Sequence, residues 1–162
     1  MAPRLERCVV GEPAYLGCTR STASPHFLWN ARVNLEAGVA TLRRLDALRT
    51  PAELDAVLGW LRRSLAFSLW LEETKLDFYR SRDLAVLTRR YEDIESGHGC
   101  APIVAAVGRA ASREAQDDLV GLDWHNCVNE LGRRRLGDYP LAAWERFLAS
   151  YGIRETIVET SL

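Results

Sequence analysis

The sequence predicts a mainly α protein folded as a single domain over residues 1–162. The expected architecture is an irregular bundle of five or six helices, with room for a small β element from the N- and C-terminal segments. Three observations predict it. Leucines and tryptophans recur at helical spacing from Leu28 to Leu148. Proline, serine and glycine stand where helices would start and stop. Finally, a chain of 162 residues that is 48% apolar and 27% charged has an ordinary globular composition and enough length to bury a core.

Residues 1–24 read as irregular chain or short strands. Gly11, Pro13 and Gly17 break any helix there, and "CVV" and "AYLGC" flank a "GEP" turn. The helical bundle is expected over 25–151. Its first helix, near 25–48, opens on Ser24 and Pro25 and carries Leu28, Leu35, Val39, Leu42 and Leu45. Thr50, Pro51 and Glu53 spell a capping box for the second. Its stripe is Leu54, Leu58, Leu61, Leu65 and Leu69, widened by Trp60, Phe67 and Trp70.

Leu76, Tyr79, Leu87, Tyr91 and Ile94 mark a third helix. A single helix over 51–95 would far exceed the usual length, so the polar run "EETK" at 72–75 is the expected joint. Gly97 and Gly99 interrupt the chain, and Pro102 opens a short helix. Ser112 caps the next, whose stripe is Val120, Trp124, Cys127, Val128 and Leu131, closed by Gly137. A final helix turns Trp144, Phe147, Leu148 and Tyr151 inward and ends at Gly152. Residues 153–162 form a β-prone tail.

The net charge of −1 creates no field that would gather nucleic acid or an acidic membrane. No apolar run approaches the ~18 residues of a membrane span. The N-terminal segment makes a poor signal peptide because Glu12 and Pro13 interrupt its short apolar run. A cytoplasmic protein is therefore expected. Four cysteines in a chain this long do not suggest a disulfide framework.

Two His-x-Cys triplets carry the most chemistry: His98 with Cys100, and His125 with Cys127. Two histidines and two cysteines could complete a tetrahedral zinc site. Residues two apart on a helix diverge by about 200°, however, which opposes joint ligation by His125 and Cys127. Cys127 also lies on the apolar stripe, where cysteine serves as a small hydrophobe. Cys100, just before a helix, could instead be a thiolate nucleophile, with His98 or His125 as base.

Neither pattern is specific. The chain is expected to hold no cofactor and not to be an enzyme; zinc binding or thiol chemistry at these residues is the alternative. Glu92 and Glu95 are three apart, but no Glu-x-x-His accompanies them, and Arg80, Arg82, Arg89 and Arg90 suggest a solvated, ion-paired face. The cluster "GRRRLGDYP" suits a helix C-terminus, or contact with phosphate, RNA or an acidic partner.

Trp60 and Trp70 lie off the leucine stripe and are the expected partner-binding anchors. The function expected is a non-catalytic module that binds another protein, as an adaptor, an immunity or inhibitor protein, or an assembly subunit.

Overall fold

The computed structural model describes residues 24–89 and 99–153, and helices dominate both stretches. In chain order they are α1 (Ser24–Ala47), α2 (Asp55–Ser81), α3 (Leu84–Arg89), α4 (Ala101–Arg109), α5 (Arg113–Asp118), α6 (His125–Leu136) and α7 (Leu141–Ser150). A π-helical segment, Leu119–Trp124, joins α5 to α6 without a break. The mainly α bundle expected from the periodicity is what the chain forms. No strand occurs among the described residues, and the expected β element falls in 1–23 and 154–162, outside them.

α1 and α2 form an antiparallel hairpin. Arg62 donates to Asp46 (3.1 Å) and to the Leu45 carbonyl (3.0 Å) near the turn. Further along, Gly38 brings the backbones close, since a Cβ there would run into the Leu69 side chain. The main core gathers Ala31 from α1, Leu71, Leu76, Phe78 and Tyr79 from α2, Leu87 from α3, Val104 and Val107 from α4, and Val120, Trp124 and Val128 further on. A smaller cluster at the other end joins Leu54, Val57 and Leu58 to Trp144 and Phe147 of α7.

Local signals set several helix ends as expected. The Ser112 hydroxyl accepts from the Ala115 amide at 3.1 Å. Gly137 and Gly152 adopt the positive φ values, 71° and 73°, that close α6 and follow α7.

Three expectations are corrected. The Thr50–Glu53 capping box does not form: Ala52–Leu54 is a 3₁₀ turn in which the Leu54 amide donates to the Pro51 carbonyl at 3.0 Å. The joint is not at 72–75. α2 runs straight through "EETK" and ends at Arg82, whose φ of 58° puts it in the left-handed region. Asp83 then starts α3 by accepting from the Ala85 amide at 2.9 Å. Tyr151, expected inward, is 66% exposed, because α7 has already ended at Ser150.

Candidate functional site

The fold brings the two His-x-Cys triplets together through their cysteines. His98, like Glu92 and Glu95, lies outside the described residues. Cys100 precedes α4, and Cys127 lies one turn into α6; the two are joined in a disulfide. Cys127 packs against the main core, as its place on the apolar stripe predicts, but as half of a disulfide that the cysteine count did not suggest. While it is intact, neither sulfur is a thiolate, either for attack or for metal ligation. No cluster of metal-ligating side chains occurs among the described residues.

The remaining member of the second triplet, His125, faces a different neighbourhood. Its Nδ1 is buried and has no hydrogen-bond partner. Burial first, and then the nearby Lys75 ammonium, lower its pKa to about 4.

That neighbourhood was not visible in the sequence. Glu72 and Lys75, one turn apart on α2, are both 7% exposed and form an ion pair at 2.9 Å. Burial pulls the Lys75 pKa below its usual value, while Glu72 pushes it back. Tyr79, one turn on, keeps a buried hydroxyl without a partner. Burial, reinforced by the Asp117 and Glu72 carboxylates, drives its phenol pKa upward. Asp117, wholly buried at the end of α5, takes a two-pronged contact from Arg82. Arg82 also lies 5.5 Å over the Phe78 ring.

This pairing corrects the expectation of a solvated Arg82. The one available signal was compositional. Lys75 is the only lysine in a chain whose other basic residues are arginines, and it sits in the polar run mistaken for a joint.

The π-helical segment closes this region. A single wide turn brings Val120 and Trp124 to full burial beside Asp117. Gly121 is required there, since a Cβ would strike the Phe27 ring from α1.

No family model, curated protein or solved structure matches the chain. The site is therefore defined by geometry alone, and geometry favours a different face.

Between α2 and the C-terminal half of α6 runs a cleft of about 460 Å³, whose walls include Trp60, Ser64, Phe67, Asn129, Arg133 and Leu136. It continues into a smaller hollow of about 260 Å³ beside Arg63 and Gly132. Beside Trp60 and Arg63 it also opens toward Asp55 and Asp138. Trp60, half-buried, is fixed as a wall: its indole N–H donates to the Gly137 carbonyl at 3.1 Å and its ring meets Tyr139 edge-on at 5.2 Å. Gly132 gives the Phe67 ring its place, because any Cβ would occupy the same space. Trp70, the second expected anchor, packs instead against the main core, 5.5 Å from the Phe67 ring.

The buried polar region has a measurable consequence in acid. Folded His125 resists protonation down to about 4, whereas the unfolded side chain takes up a proton near 6.5. The unfolded state therefore binds more protons between these values, and stability falls as pH drops through that window. His125→Gln is expected to flatten this part of the acid slope, measured as urea midpoints from neutral pH to about pH 4. Equal slopes for both proteins would contradict the burial of a neutral His125.

Proposed function

We propose that the domain is a non-catalytic protein-interaction module whose docking face is the α2–α6 groove. The observation that carries this reading is the continuous cleft walled by Trp60, Phe67 and Leu136. Rigid aromatic walls beside polar side chains are the usual composition of an anchor pocket. Trp60 serves as one wall, while Trp70 supports Phe67 from behind. Adaptors, inhibitors and assembly subunits all act through such a face. A partner that is another protein fits a groove of this length better than a small enclosed cofactor does.

No helix of the described residues is long and apolar enough to cross a membrane. The disulfide bears on location as well. Buried disulfides persist in oxidising compartments and are rare in the cytosol. Residence in an oxidising compartment is thus the reading the bond supports, and the cytoplasmic expectation requires reduced Cys100 and Cys127. Mass spectrometry of protein alkylated during cell lysis separates the two.

The docking face is tested by selecting short random peptides displayed on phage against the intact oxidised protein. Enriched peptides are expected to shift the amide resonances of Ser64, Ser68 and Asn129 in NMR spectra. Failure to enrich any peptide, or binding that leaves these resonances unmoved, would sink the proposal.

A further inference from the structure

We infer that the α2–α6 groove recognises an acidic segment of a protein partner, one that sets a carboxylate beside an apolar side chain. The inference rests on the docking reading above and adds the chemistry of the occupant.

Its basis is a division among the arginines. Arg62 and Arg134 are not among the groove's walls and have carboxylate partners, Asp46 at 3.1 Å and Glu130 at 3.5 Å. Their neighbours Arg63 and Arg133 line the groove, and neither forms an ion pair among the described residues. The last turn of α6 gives Arg133 an ordinary reason to be basic, since cations complement a helix C-terminus. Arg63 has no such reason, because it lies in the N-terminal half of the 27-residue α2. It nevertheless reaches the same hollow as Phe67, Gly132 and Leu136. An apolar floor with guanidinium groups on both banks suits an aliphatic or aromatic side chain flanked by Asp or Glu.

Asp55 and Asp138 line the hollow beside Trp60 that Arg63 also reaches, so the acidic residue is expected on the Phe67 and Gly132 side of Arg63.

The experiment takes the phage-selected peptides that map to Ser64, Ser68 and Asn129 and measures their affinities. Asp and Glu are expected to be enriched next to an apolar position. The Arg63→Ala/Arg133→Ala double variant is expected to weaken binding about tenfold, as two exposed charge pairs allow. Shortening the Debye length to about 3 Å with salt should weaken the wild type similarly. The control pair Arg62→Ala/Arg134→Ala should leave affinity within about twofold.

Groove-mapped peptides that are neutral or basic, or equal losses in the two double variants, would overturn the inference while leaving the docking face intact. Displacement of the peptides by a short oligothymidylate at lower concentration than a free acidic peptide requires would overturn it in favour of phosphate recognition. If no peptide maps to the groove, both the inference and the reading beneath it fail.

Discussion

Replacing both Cys100 and Cys127 with alanine is expected to lower the unfolding free energy by about 3.5 kcal/mol. The bond spans a sequence separation of 27. Closing a loop of that size removes chain entropy from the unfolded state, which is the main source of the effect. On the folded side, the bond ties the start of α4 to α6. α4 has nine residues, too few to hold a helix in water by itself. It depends on Val104 and Val107 reaching the core, and the Cys100 anchor keeps their register.

The melting temperature should fall by roughly 7–14 °C for a domain of this size. A second readout separates the chain-entropy effect from lost packing. The uncrosslinked unfolded chain exposes more surface, so the denaturant m-value should rise in the double variant and in reduced wild type. Unchanged midpoints and m-values on reduction would show that the bond contributes nothing to the folded state.

How much of this was legible follows the range of the interaction concerned. Ser112, Gly137 and Gly152 act within one turn of their own positions, so their side chain or φ preference marks a helix end wherever the rest of the fold lies. Thr50, Pro51 and Glu53 have the right local chemistry for a capping box, yet α2 begins later. The 3₁₀ turn delivers Leu54 to the cluster around Trp144, and that packing outweighs a cap.

The larger error concerned "EETK". Four polar residues in sequence resemble a solvent-facing joint, but in α2 three of them, Glu72, Thr74 and Lys75, are buried. Glu72 and Lys75 neutralise each other one turn apart, and the Thr74 hydroxyl donates to the Trp70 carbonyl at 2.7 Å. Hydrophobic periodicity has no means of registering a charge satisfied inside the core.

The same limit hid Asp117 and Arg82, which meet 35 positions apart, and the cysteine pairing, which depends on how α4 lies against α6. The groove was half legible. The departure of Trp60 from the leucine stripe was visible as spacing, while Arg63 and Gly132 acquire meaning only when α2 and α6 pack together.

The buried pair on α2 gives the other large expected effect. Lys75→Met removes the ammonium and leaves the Glu72 carboxylate buried without its counter-charge, which should cost about 3–5 kcal/mol. The double variant Glu72→Leu/Lys75→Met removes both charges and their desolvation penalty. It is expected to be at least as stable as the natural protein, by urea denaturation at neutral pH, because an isolated buried ion pair seldom outperforms well-packed apolar side chains.

The two results together decide whether the pair is a net stabiliser. If the double variant is as unstable as Lys75→Met, the contacts of Glu72 with the rest of the polar region outweigh the cost of its burial. His125 supplies an independent check in the same proteins. Its pKa is held down first by burial and second by Lys75. The double variant should therefore raise it from about 4 while leaving it below the value of a free histidine, followed by NMR titration of the imidazole. A titration unmoved by the loss of Lys75 would place the two side chains too far apart to interact, and the polar region would cease to be one electrostatic unit.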